Sequence, residues 1–319
     1  MAEVSRRSVL TAGALAMLGA NHAMAGEQGQ PFFARTGLPI GVQLYTLADS
    51  LAADLEGTLA QIAAIGFKTV ETAGYLGHTA SQMRAAFDRA SLICTSAHVP
   101  GRAMGPDACL DGDLSRVIDD AHTLGLSHVV MPMLYVPKRF EMKPRPGEDF
   151  ADLLRRVGAQ VTTDDWKFTA DFLNAKGETL KQAGLQLAYH NHNLEFAPLA
   201  GSSGYEILLK GTDPNLVCFE MDAGWVAAAG HDPLVLLRQY PGRFRLMHVK
   251  DIKADTQANF ALRQDPTEVG SGVIDWKAIL PAAHEAGVTR FFVEQEPPFA
   301  APPIGSVRKS FVYLKSLVA

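Results

Sequence analysis

The chain has 319 residues, 47% of them apolar and 20% charged, with a formal net charge of −5. That balance is a globular one, with length enough for one large α/β barrel or two ordinary domains. It argues against the basic footprint of a nucleic-acid binder, and no basic stripe interleaved with aromatics occurs in the sequence.

The first segment reads as an export signal. Arg6-Arg7 opens it, a mildly apolar run follows at 9–20, and Ala23-Met24-Ala25 has the small-x-small form of a cleavage site. The run is too short for a bilayer-spanning helix, so no stable membrane insertion is expected. The arginine pair matches the twin-arginine pattern, with Val9 where Phe is usual and Thr11 where Lys is common. Residues 1–25 are therefore set apart as a signal for twin-arginine export to the periplasm, a route that carries folded proteins with their cofactor loaded. Residues 26–37 read as a linker, and the catalytic domain as 38–319.

From residue 38 a short apolar run and a longer amphipathic run alternate eight times. The strand-like runs are 40–45, 68–71, 93–98, 128–133, 186–190, 217–221, 244–248 and 291–294. The helix-like runs are 51–65, 81–90, 113–124, 165–183, 203–209, 232–239, 275–286 and 306–317. Asp113 is placed to cap one helix, and Asp232-Pro233 to start another as N-cap and first residue. Gly66, Gly125, Gly184 and Gly287 each follow a helical run, where a left-handed cap is wanted. Three of them lead straight into an apolar run, the joint of a parallel sheet. Eight such units predict a single (β/α)8 TIM barrel. No Gly-x-Gly-x-x-Gly sits at a first strand–helix turn, which weakens a dinucleotide fold. One long departure, 135–163, is rich in Pro, Arg and Glu and falls after the fourth strand, on the face where barrel chemistry sits. Cys94, Cys109 and Cys218 have no CxxC spacing, and Cys94 and Cys218 read as buried free thiols.

The residues ending the strands carry the functional signal. They are Gln43 and Tyr45, Glu71, His98, His190-Asn191-His192 with Glu195, Asp222, His248 with Lys250 and Asp251, and Glu294 with Glu296. Seven of the eight strands thus send a ligand or acid–base type to one rim, where like charges repel unless a cation neutralises them. Two histidines and two carboxylates suit Mn, Zn, Co or Fe better than Mg or Ca.

The segments Gly41-Val42-Gln43-Leu44-Tyr45, Tyr189-His190-Asn191-His192, Met221-Asp222-Ala223-Gly224-Trp225, Met247-His248-Val249-Lys250-Asp251 and Val293-Glu294-Gln295-Glu296 resemble the xylose-isomerase-like TIM-barrel superfamily. Within it they are most similar to sugar phosphate isomerase/epimerase and inosose dehydratase-type proteins. The resemblance implies metal ligands at Asp222, His248 and Glu294. The strand-five ligand, usually a glutamate, falls on His190, with His192 or Glu195 as alternatives.

The expected activity is that of a metal-dependent isomerase or epimerase of a sugar or keto-sugar, acting through an enediolate. The alternatives are a lyase or dehydratase eliminating from a 3-keto-glycoside or inosose, and a non-catalytic sugar-binding module. Glu294, His192 and Glu195 are the candidates for proton transfer. Gln43, Glu71, His98, Trp225 and Lys250 are expected to bind the substrate, with pairing to Asp251 the other reading for Lys250. Gly270-Ser271-Gly272 is the nearest approach to a phosphate cradle, and its plainer reading is a turn. A periplasmic site and the lack of a better cradle favour an unphosphorylated sugar. The partner is a small molecule rather than a nucleic acid, and a homo-oligomer stays open.

Overall fold

A computed structural model describes residues 29–103 and 108–319. The export signal expected at 1–25 lies outside them. Eight parallel strands close into one barrel in sequential order. They are β1 (Ile40–Gln43), β2 (Thr69–Ala73), β3 (Ile93–His98), β4 (His128–Met131), β5 (Gln186–His190), β6 (Val217–Asp222), β7 (Phe244–Val249) and β8 (Arg290–Val293). Each is short and largely apolar because helices cover one face and the barrel interior the other.

The helices of the outer layer begin and end where their caps dictate. Asp113 accepts from Ser115 N ahead of Leu114–Leu124, and Asp232 accepts from Leu234 N with Pro233 at the first helical position. Gly66, Gly125, Gly184 and Gly287 all have positive φ, as the reading of their positions required. The run 51–65 is two helices, Ala48–Ala53 and Leu55–Ile65, because Asp54 turns its carboxylate to Gly57 N and starts a new one. The stretch 26–37 holds a helix, Phe32–Thr36, whose buried Phe32 and Phe33 pack edge-on against Phe291. The excursion after β4 also contains a helix, Phe150–Gly158, capped by Asp149, with Leu153, Leu154 and Val157 buried. No helix among the described residues is long and apolar enough to cross a membrane. Cys94 and Cys218 are buried and unpaired.

Inside the barrel, Val130, Ala188, Cys218, Leu246 and Phe292 form an apolar cluster, one residue from each of β4 to β8. Side chains alternate along a strand, so residues two positions further on share the same interior. From β5 to β8 those residues are His190, Glu220, His248 and Glu294, with Asp222 two residues beyond Glu220. The polar site is therefore the next storey of the barrel core. Register shifts fall between Val70 and Glu71 and between Phe219 and Glu220, immediately before two of the buried carboxyl groups. Irregularities of this kind re-aim side chains beside functional sites.

At the opposite end of β4, His128 accepts or donates through Nδ1 to Ser127 Oγ at 2.8 Å. Burial and the nearby Arg290 guanidinium push its imidazole down from 6.5 to about 4. The native state thus takes up this proton later than the unfolded chain does. Its contribution is intact above pH 6.5 and falls away between pH 6.5 and 4, by up to about 3 kcal/mol. Denaturant titrations at pH 7.5 and 4.5 should show His128→Asn losing about 2–3 kcal/mol less than the parent over that interval. A difference under about 0.5 kcal/mol would refute the assignment.

Candidate active site

Two groups of ligand-type residues meet at the C-terminal mouth of the barrel. Asp222, His248 and Glu294 bring one donor atom each within 4.8 Å of one another, and so do His98, His190, Glu220 and His248. His248 belongs to both. Its Nδ1 lies 2.7 Å from Glu294 Oε2 and 3.7 Å from Asp222 Oδ2, while its Nε2 lies 2.7 Å from Glu71 Oε1 and 3.2 Å from Glu220 Oε2. The register supplies the neighbourhoods, pairing Asp222 with His248, His190 with Glu220 and Gln43 with Glu71. The four ligands expected from the sequence therefore divide. Asp222, His248 and Glu294 stand together, whereas His190 points Nδ1 at Glu220 Oε2, 3.1 Å away, and brings Nε2 only to 4.0 Å from Asp222.

Lys250 is fully buried beneath Trp225, its ammonium 5.0 Å from a ring centroid of that indole. Its Nζ lies 2.8 Å from Asp222, 3.0 Å from Glu294 and 3.1 Å from Glu296. It does not pair with Asp251, nor does it line the cavity. Asp251 instead accepts from the amides of Ile252, Gly270, Gly272 and Ile274 and from the Trp276 indole. The glycine segment thus cradles an anion that belongs to the chain itself. A Cβ on Gly272 would stand 2.1 Å from the Asp251 carboxylate, so only glycine fits there.

Other expectations need correcting for orientation. Glu195 accepts from Tyr189 Oη and from His192 N, and it does not line the cavity, because the 3-10 turn Leu194–Phe196 directs it into the wall. Gln43 and Glu71 are fully buried, and Gln43 donates to Glu71. Both contact His98, and Glu71 also contacts His248. His98, His190, His192, Trp225, Glu294 and Glu296 do line a cavity of about 450 Å³. Glu220 stands two residues before the strand end, beyond the reach of a strand-end criterion; alternation along Cys218, Glu220 and Asp222 places all three inside.

Burial opposes ionisation of Glu71, but His98 and His248 overcome this and hold its carboxyl well below the usual range. Burial, then Glu71, pushes Glu220 up to about 7. Burial works against Glu294 too, yet Lys250 and His248 keep it ionised. On the facing side, burial and the charge of His248 keep His190 neutral, and burial and Lys250 push His192 down to about 3. Asp222, Glu294 and Glu296 thus crowd round Lys250, while Glu71 and Glu220 face His98 and His248, whose imidazoles these carboxyl groups hold protonated, His98 up to about 9. Glu71 Oε2 and Glu220 Oε1 are buried without a hydrogen-bond partner. Buried carboxylates with imidazole nitrogens between them, two of their oxygens unpartnered, make a donor set that a divalent cation would bind by displacing protons, so these residues fit a metal.

A closed (β/α)8 barrel with carboxylate and imidazole donors at its C-terminal mouth defines the class of protein. The chain matches the family described as xylose isomerase-like TIM barrel over residues 59–317 and belongs to it. It is 30% identical over 156 residues to an inosose dehydratase of Geobacillus thermodenitrificans, covering 44% of this chain and 51% of that protein. The chain thus spans about half the length of the curated relatives it matches. A sugar phosphate isomerase/epimerase of Parabacteroides distasonis superposes with a TM-score of 0.69 at 26% identity, over 88% of this chain and 94% of that one. An IolI protein with a bound zinc atom shares the fold, with a TM-score of 0.58 at 17% identity over 88% of this chain and 98% of that one.

Proposed function

We propose that this chain is a metal-dependent enzyme that removes a proton beside the carbonyl of an unphosphorylated sugar-like ketone and completes the reaction by elimination. The observation carrying this reading is the asymmetry of the cavity. Glu294 and Glu296 line one side, and the other side presents two neutral imidazoles, His190 and His192, with Glu195 withheld in the wall. Epimerisation needs a base on each face of the carbon, whereas elimination needs only one.

A divalent cation held by Asp222, His248 and Glu294, with His190 alongside, would polarise the carbonyl and acidify the adjacent C–H. Mn, Zn, Co or Fe suits this mixed donor set. Glu294, kept ionised by Lys250 and His248, takes the C–H proton and returns it to the departing oxygen, which leaves as water or as the aglycone alcohol. His192 offers Nδ1, which is buried without a partner, to a substrate oxygen. Trp225 covers Lys250 and packs 5.4 Å from His192, giving the sugar ring a flat wall. The amides of Gly270 and Gly272 are already engaged by Asp251, which supports an unphosphorylated substrate. The inosose dehydratase relatives support the elimination reading. The twin-arginine signal read in residues 1–25 would place this reaction in the periplasm.

Metal-loaded protein incubated with an inosose and with a 3-keto-glycoside in deuterated water tests the proposal by NMR. We expect water or aglycone to be released, with little deuterium in the recovered substrate. An epimerised, deuterated sugar with no eliminated product would overturn elimination in favour of the isomerase/epimerase reading. Sugar affinity without any turnover would leave a binding module.

A further inference from the structure

The cavity has two chemically distinct ends. Histidines and glutamates line the end formed by β3, β5 and β8. At the other end, Val99, Val117, Met133 and Leu154 line it, contributed by the loops after β3 and β4 and by two helices. Leu154 comes from Phe150–Gly158, the helix inside the long excursion after β4. An excursion of that length in a compact barrel calls for a purpose beyond connection.

A free monosaccharide or inosose carries hydroxyls round its whole edge. Each hydroxyl pressed against Val99, Val117 or Leu154 would lose its water without gaining a hydrogen-bond partner. A sugar alone therefore belongs at the polar end, and it leaves much of a cavity of about 450 Å³ unfilled. Pro100 and Met133 also line a neighbouring cavity of about 390 Å³, whose other walls include Leu134, Met142 and Leu153. The apolar character thus continues beyond the first chamber.

Resting on the carbohydrate reading of the polar end, we infer that the substrate is a glycoside with an apolar aglycone, and that Val99, Val117, Met133 and Leu154 form the aglycone subsite. The polar end holds the sugar ring under Trp225. The apolar end holds an alkyl or aryl group, and the excursion after β4 exists to wall it in.

The test is affinity by calorimetry on the metal-loaded full chain, with methyl, hexyl and phenyl glucosides as probes. These glycosides lack a carbonyl and so report binding without turnover. The hexyl and phenyl glucosides should bind roughly tenfold or more tightly than the methyl glucoside. Leu154→Asn should erase that preference and leave methyl glucoside binding unchanged. Met133→Thr, at a half-buried loop position, should reduce the preference without threatening the fold. Equal affinities of the three glucosides for the parent protein overturn the aglycone subsite and leave a sugar site standing. Phenol binding as tightly as phenyl glucoside overturns the sugar reading, and with it this inference.

Discussion

Asp222→Asn is expected to lower metal affinity and turnover together by roughly a hundredfold or more while the protein stays folded. The asparagine keeps the oxygen that accepts from Trp225 N at 2.9 Å, so the start of the helix Ala223–Ala228 keeps its cap. What disappears is the negative charge 2.8 Å from Lys250 Nζ and 3.7 Å from His248 Nδ1. Lys250 retains Glu294 and Glu296 as partners, so no buried cation is stranded. Equilibrium dialysis against Mn²⁺ or Zn²⁺, with circular dichroism as the control for folding, separates the two effects. Unchanged metal binding would remove Asp222 from the ligand set, and retained turnover would remove it from the chemistry.

The second large effect is on stability. Asp251→Ala should cost about 3–5 kcal/mol in urea denaturation, because it strands donors that the fold buries around one carboxylate. Oδ2 accepts from Gly270 N at 2.9 Å, Gly272 N at 3.3 Å and Trp276 Nε1 at 3.0 Å. Oδ1 accepts from Ile252 N at 3.0 Å and Ile274 N at 3.2 Å. The carboxylate thereby ties the end of β7 to the loop and to Trp276, a fully buried side chain at the start of the helix Trp276–Glu285. A loss below about 1 kcal/mol would mean that water replaces these bonds and that the segment is not pinned as described.

Much of this architecture was legible because barrel strands are covered on both faces and read as short apolar runs. The runs at 93–98 and 186–190 coincide with β3 and β5, and Asp113 and Asp232 cap the helices expected of them. What periodicity missed was local polar chemistry competing with the pattern. Asp54 broke one helical run in two through a single bond to Gly57 N. The Pro-, Arg- and Glu-rich composition of 135–163 hid a helix whose signals were Asp149 as cap and the spacing of Leu153, Leu154 and Val157.

In the site, strand ends identified Asp222, His248 and Glu294, since position along a parallel strand fixes height in the barrel. Orientation was less legible. Glu195 stands five residues beyond His190, yet the turn Leu194–Phe196 points it at Tyr189. Lys250 neighbours Asp251 in sequence, but adjacent residues face opposite ways in an extended segment, and Lys250 finds its partners across the barrel. Glu220 shows the converse, a residue away from the strand end that alternation nonetheless delivers to the interior.

His248 also governs the accounting of protons at the mouth of the barrel. A cation bound at Nδ1 requires that nitrogen to be bare, which leaves the ring's hydrogen on Nε2, aimed at Glu71 Oε1 2.7 Å away. Without a cation, the surrounding carboxylates hold the ring protonated on both nitrogens. Uptake of a metal there would expel a proton, so occupancy of the site would rise with pH. The tautomer so fixed would couple Glu71, through His248 Nε2, to whether a metal is bound.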